Sequence, residues 1–174
     1  MIFEPLGVPG AFVVHPVPHE DDRGFFARAW CEKEFAAHGL SPTLAQCSIS
    51  FNKRRGTLRG LHFQAAPHSE AKLVRCTRGA IFDVVVDLRT ESPAFLRHCG
   101  VTLSADDHRM MYVPEGCAHG FLTLDDNAEV FYQMSSVQVA EAACGVRWDD
   151  PALDIAWPVP VEVIAERDTS WPLL

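Results

Sequence analysis

Ala80-Ile81-Phe82-Asp83-Val84-Val85-Val86-Asp87-Leu88 is the stretch on which the fold turns. It is dominated by Ile, Phe and Val, residue types that suit a pleated surface. Turn residues close it on both sides, Arg78-Gly79 before it and Glu91-Ser92-Pro93 after it. A short apolar run bounded in this way reads as a strand. Period two places Asp83 and Asp87 on one face with Val85. Acids set in an apolar strand need partners, so both are candidates for a site or a buried network.

The same pattern recurs outward from this stretch. Lys72 to Thr77, Cys99 to Leu103, Arg109 to Val113, Gly120 to Leu124 and Ala128 to Ser135 are further strand candidates. Turn signals recur at Arg23-Gly24, Arg55-Gly56, Asp106-Asp107, Pro114-Glu115-Gly116 and Asp125-Asp126-Asn127. Ala27 to His38 reads as a helix, with Trp30, Phe35 and Ala36 on one face and Gly39 as its C-cap. Many short strands with one or two short helices predict an all-β chain, a β-sandwich or barrel of jelly-roll type. Pro151, Pro158, Pro160 and Pro172 predict a tail from Val146 that runs extended over the body of the domain. With 174 residues and no repeat, low-complexity tract or linker, residues 1–174 read as a single domain.

Composition narrows the function classes. Hydrophobic residues make up 48% and charged residues 22%, which excludes disorder as the main state. Fifteen basic against twenty-three acidic side chains give a net charge of -8, the wrong sign for a general nucleic-acid binder. No apolar run approaches the roughly 18 residues of a membrane span. Met1-Ile2-Phe3-Glu4-Pro5 lacks the basic start and apolar stretch of a signal peptide, so a cytoplasmic protein is expected. Six cysteines, at 31, 47, 76, 99, 117 and 144, form no C-x-x-C pair and no zinc-finger spacing. Most have apolar neighbours, as buried reduced thiols do.

Candidate chemistry concentrates in Asn52-Lys53-Arg54-Arg55-Gly56-Thr57-Leu58-Arg59-Gly60-Leu61-His62-Phe63-Gln64. Four cations within seven positions of an acidic chain suit an anionic small ligand such as a diphosphate; a solvated basic turn is the plainer alternative. Arg59, flanked by apolar and glycine residues, fits the plain turn least. In a strand, His62 and Gln64 point to one face and Leu61 and Phe63 to the other. His119, in Gly116-Cys117-Ala118-His119-Gly120-Phe121, sits where a turn could project it into a cavity. Neither histidine has the His-x-His or His-x-x-x-His partner that helps organise a metal centre, so no metal is assigned. Lys72 shares a face with Val74 and Cys76, and Tyr132 shares one with Val130 and Met134. A lysine on an apolar face either snorkels at the rim or is buried for a purpose, and a phenol there must find a partner or a task. A histidine base, a lysine cation, a tyrosine acid and an arginine cradle together suit proton abstraction next to a carbonyl. Serine nucleophile elbows, Walker loops and dinucleotide-binding glycine fingerprints are absent.

At these residues the chain resembles a known family, the dTDP-4-dehydrorhamnose 3,5-epimerases (dTDP-4-keto-6-deoxyglucose 3,5-epimerases). The resemblance runs from about Phe12 to Pro158 and on to Asp168. It is carried by Asp22-Arg23-Gly24-Phe25-Phe26, Gly56 to Gln64, Ala71-Lys72-Leu73-Val74-Arg75, Gly79 to Arg89, Val113 to Phe121 and Trp148-Asp149-Asp150-Pro151. It implies a cupin-type jelly roll, a homodimer, and catalysis without metal or other cofactor on a nucleotide-diphospho-sugar in deoxysugar or surface-polysaccharide synthesis. Carried over by residue, it makes His62 the general base, Asp168 its orienting partner, Lys72 the stabiliser of the enolate at C4 and Tyr132 the acid on the opposite face. Arg23, Arg59 and His119 would hold the diphosphate, with Gln46 and Ser48 near the sugar or base.

The chain departs from the family pattern at three places. Arg28 stands where many members carry Glu, Gln138 where many carry an aromatic that stacks on thymine, and Ala143 where an acid is usual. All three fall in the nucleotide and sugar pocket rather than in the proton-transfer set. A lost stacking ring removes roughly 1 kcal/mol of base affinity. Gln46 to Asn52 resembles a divergent branch acting on other sugars or nucleotides. The nucleotide (dTDP, UDP, GDP or CDP) therefore stays open, as does inversion of C3, C5 or both. The alternatives are a 3,4-ketoisomerase on the same scaffold, a non-catalytic sugar-binding jelly roll and a metal-dependent cupin oxygenase.

Overall fold

The computed structural model describes all residues, 1–174, as thirteen strands and two short α-helices. β1 (Ile2–Pro5) and β2 (Phe12–His15) form a first hairpin, and β3 (His19–Asp21) and β4 (Gly24–Phe26) a second. α1 (Glu32–Ala37) leads to β5 (Gln46–Asn52) and β6 (Leu58–Gln64). Next come β7 (Lys72–Arg78), β8 (Ala80–Asp87), β9 (His98–Ser104), β10 (Met110–Val113), β11 (Cys117–Thr123) and β12 (Ala128–Met134). β13 (Ala143–Gly145) and α2 (Glu166–Thr169) lie in the last part of the chain. One sheet has the order β1-β2-β10-β7-β12-β5 and the other β13-β6-β11-β8-β9. Consecutive strands β7 and β8 belong to different sheets, with Gly79 at φ +71 in the turn between them. The result is the jelly-roll sandwich expected from the strand pattern.

Three buried clusters explain the apolar patterning. Val74 and Cys76 of β7, Met111 of β10 and Val130 of β12 meet Ile81 and Val85 of β8 and Phe121 of β11 between the sheets. Val84 and Val86 point from β8 to the opposite side, where Val146, Leu153, Ile155 and Trp157 cover them. β8 is therefore buried on both faces, and that is why its sequence is a continuous apolar run rather than an alternation. The third cluster lies on the other sheet, where Phe35 and Leu40 pack on Val14, Leu73, Met110 and Tyr112.

Two local expectations need correction. The helix expected over Ala27 to His38 covers only Glu32–Ala37. Cys31 at its N-cap makes no side-chain cap bond, and Trp30 packs on Phe35 from outside the helix with ring centroids 6.2 Å apart. The expected stop holds, since Gly39 takes φ +71 beyond the C-cap. The tail lies over the body but is not extended throughout. It turns at Asp150, whose carbonyl accepts from the Leu153 amide at 3.0 Å, and passes through α2 before its last residue, Leu174, returns to donate its amide to Asp150 Oδ2 at 2.7 Å.

β6 and β11 pair with His62 directly opposite His119, and the register shifts just beyond, between His119 and Phe121. Gly60 sits at this crossing with φ +142. A Cβ there would come within 2.5 Å of the Gly120 Cα, so only glycine lets the two backbones approach.

Candidate active site

A cavity of about 630 Å³ opens at one end of the sandwich, between the two sheets. Strands β5, β7 and β12 of one sheet and β6, β11 and β13 of the other contribute to its walls, and residues 163–165, 167 and 168 close one side. Of the residues singled out in the sequence, it gathers His62, Lys72, Tyr132, Asp168, Gln46, Ser48, Arg59, His119 and Gln138.

His62 projects from β6 with its side chain 42% exposed toward the cavity. Its Nε2 lies 2.6 Å from Oδ1 of Asp168, which α2 carries at 3% exposure. The Gly60 amide donates to the other carboxylate oxygen at 3.2 Å. Burial works against the Asp168 charge. The His62 hydrogen bond and charge and the Gly60 amide outweigh it and hold the carboxyl below its ordinary pKa. The sign follows: stability from this pair is present above the usual carboxylate range and is lost as pH falls through the lowered value. With Nε2 committed to Asp168, Nδ1 is the ring nitrogen left to take a proton.

Tyr132 stands on β12, in the sheet that faces the one carrying His62. Its ring packs edge-on to His119 at 6.2 Å and lies 6.3 Å from Phe121. Burial, reinforced by the Asp83 charge and opposed by Arg59, pushes its pKa well above that of a free phenol. It is held as a neutral O–H donor.

Lys72 enters between them from β7. Its Nζ donates to the His62 carbonyl at 3.2 Å and pairs with Glu70 Oε1 at 3.2 Å. Burial drives its pKa down, while Glu70 and then Asp83 push it back up.

His119 is nearly buried on β11, with Nε2 2.7 Å from Asp83 Oδ1. Asp83 thus finds the partner its apolar strand demands, though its Oδ2 has none. Asp87 finds one too, in Arg89 at 2.7 Å and Ser92 at 2.6 Å. Arg59 lies at the lip, its Nε donating to Asn52 Oδ1 at 2.7 Å. Gln46 and Gln138 meet there as well, the Gln138 amide donating to Gln46 Oε1 at 2.9 Å.

Two expected ligands of the diphosphate and sugar lie elsewhere. Arg23 is at the β3–β4 turn, 89% exposed and paired with Asp21. Arg28 is 62% exposed and donates to Glu34 of α1 at 2.9 Å. Neither lines the cavity of its own chain, because both precede α1 on a segment outside the two sheets.

Other cavity residues were not assigned from sequence. Gln64 and Glu70 form part of the wall, and an acid two positions before a lysine on an apolar strand is the signal that could have marked Glu70. Arg167 also lines it, its guanidinium 5.1 Å from the Trp171 ring. No three His, Cys, Asp or Glu side chains converge as a metal-ligand group, and all six cysteines are free. No helix is long and apolar enough to cross a membrane.

Comparison with known proteins matches the chain to a family. A family model described as dTDP-4-dehydrorhamnose 3,5-epimerase matches residues 5–174. The dTDP-4-dehydrorhamnose 3,5-epimerase of Sinorhizobium fredii is 39% identical over 100% of this chain and 90% of its own length. The Bacillus anthracis dTDP-4-dehydrorhamnose 3,5-epimerase, solved with TDP and PPi bound, superposes with a TM-score of 0.94 at 39% identity, covering 99% of both chains. A 3'-monoepimerase from Streptomyces bikiniensis, solved with dTDP-quinovose, superposes at 0.89 with 36% identity, covering 97% of this chain and 86% of its own.

Proposed function

The chain belongs to the dTDP-4-dehydrorhamnose 3,5-epimerase family, and from that membership we propose its chemistry: a proton shuttle across a 4-keto sugar, with His62 as base and Tyr132 as acid. The substrate is a dTDP-4-keto-6-deoxy sugar, inverted at C3, C5 or both. The C4 ketone acidifies the neighbouring C–H bonds. His62 Nδ1 takes one of these protons, and the C–H electron pair moves into the ring to give an enolate with its charge on the C4 oxygen. The Lys72 ammonium stabilises that oxygen. Tyr132 O–H then protonates the carbon from the other side, which inverts the centre. The phenolate left behind has a raised affinity for protons and regains one from solvent, while His62 gives its proton up.

One observation supports this chemistry above the others. His62 and Tyr132 come from opposing sheets and line one cavity, with Lys72 on the same sheet as Tyr132. A ring bound between the sheets has one face toward each. Asp168 orients the imidazole and favours the cation that forms during proton transfer, which a neutral partner would not do. Arg59 and His119 hold the diphosphate, with Gln46, Ser48 and Gln138 toward the sugar or base.

Turnover in D2O tests the reaction. Given dTDP-4-keto-6-deoxyglucose, the enzyme is expected to place deuterium at each inverted centre, at C3, C5 or both, and to leave the ketone at C4. A product with the ketone at C3 would instead make it a 3,4-ketoisomerase. Binding without exchange would make it a sugar-binding module.

The homodimer is part of the same proposal. Arg23 stands beside two exposed phenylalanines, Phe25 at 50% and Phe26 at 76% exposure. A second copy that covers them would bring Arg23 and Arg28 toward the neighbouring cavity. Light scattering is expected to give about twice the 19.3 kDa chain mass. A fully active monomer would contradict this.

A further inference from the structure

We propose that Glu70 is a positioning residue of this enzyme, keeping the Lys72 ammonium charged and aimed into the cavity. The proposal deepens the reaction above, in which Lys72 stabilises the enolate oxygen. The Lys72 and Glu70 side chains are only 11% and 10% exposed, and Nζ lies 3.2 Å from Oε1. An ammonium buried to this degree needs an opposite charge in contact. Nζ carries three protons. One goes to Glu70, one to the His62 carbonyl, and the third is free for the substrate oxygen.

No other carboxylate can take this role. The titratable and charged groups that share the cavity or act on Lys72 are Glu70 just before β7, His62 and Arg59 on β6, Asp83 on β8, His119 on β11, Tyr132 on β12, and Arg167 and Asp168 on α2, the last committed to His62 at 2.6 Å. Asp83 is committed to His119 at 2.7 Å and acts on Lys72 only through space. Burial drives the Lys72 pKa down, and Glu70 is the largest influence opposing it.

Glu70 is itself held from behind. Gln64 Nε2 lies 3.3 Å from its Oε2. The two N–H protons of Gln64 Nε2 are shared among Glu70, the His68 carbonyl at 3.0 Å and the Val137 carbonyl at 3.2 Å, and Gln64 Oε1 accepts from the Val139 backbone amide at 2.6 Å. Gln64 lies two residues beyond His62 on the same strand and the same face. The strand that carries the base therefore also sets the carboxylate that sets the cation.

The chain has only three lysines, Lys33, Lys53 and Lys72, and the first two are exposed. Protein labelled with 13C at lysine Cε therefore gives three signals, and Lys72→Met identifies the third. In Glu70→Gln that signal is expected to titrate about one pH unit lower than in wild type, with Glu70→Asp in between. The alkaline limb of kcat should move the same way, because the active ammonium is lost at lower pH once its partner is neutral. At pH values above both midpoints kcat should fall about tenfold, recover on acidification, and leave dTDP affinity unchanged. An unmoved Lys72 titration in folded Glu70→Gln or Glu70→Asp protein would overturn the proposal. So would a fall in kcat with no change in the limb. If the signal moves while wild type fails to epimerise, the reaction assignment fails and the Glu70–Lys72 coupling stands.

Discussion

His62→Ala is expected to slow deuterium wash-in at the substrate's exchanging ring carbons by about 10²–10⁴-fold, the usual worth of a positioned general base. Affinity for dTDP should stay close to wild type, because the diphosphate is assigned to Arg59 and His119, which the substitution leaves in place. The size of the effect follows from the site. Asp168 is the carboxylate in contact with His62, but it is buried behind the imidazole and held ionised by it. It cannot reach the sugar in place of His62. The variant leaves Asp168 with the Gly60 amide as its remaining hydrogen bond, so its melting temperature should be read alongside exchange. Folded protein with dTDP affinity and no exchange is the expected combination. Exchange at the wild-type rate would remove His62 from the role of base.

Tyr132→Phe separates the two halves of the reaction. The ring is kept, so its packing against His119 and Phe121 should survive and the fold should hold. The donor is gone. Inverted product should fall by about 10²–10³-fold. His62 and Lys72 can still form the enolate, and His62 can return a proton to the face it came from. The starting sugar should therefore pick up deuterium without changing configuration. Loss of exchange and inversion together would place Tyr132 in enolate formation, and unchanged inversion would place the acid elsewhere.

Much of the fold was legible because burial is two-sided. The run Ala80 to Leu88 could be read as a strand without any pairing information, since the tail residues Leu153, Ile155 and Trp157 make its outer face apolar as well. α2 was not legible. It has four residues, Glu166–Thr169, too few for any periodicity, yet it carries Asp168. The helix before it was overextended because Trp30 has the spacing of a helical face while packing on Phe35 from a non-helical segment.

The site divides along the same line. His62, Lys72 and Tyr132 sit on strands, where period two fixes the face each side chain takes. Arg23 and Arg28 sit on a hairpin and the segment after it, and no sequence period says which cavity such residues face. Glu70 was missed because it precedes β7 in an irregular stretch. Its contact with Gln64 arises only once β6 and β7 stand in opposing sheets. Asp83 and His119, thirty-six positions apart, meet because their strands are neighbours.

The central claim is geometric, and a crystal structure with an unreactive dTDP-sugar analogue tests it directly. The hexose ring should lie between the sheets, with the imidazole of His62 against one face and the Tyr132 hydroxyl against the other. The group at C4 should be within hydrogen-bond reach of Lys72 Nζ. A ring that met both side chains on the same face, or that bound with C4 turned away from Lys72, would contradict the account.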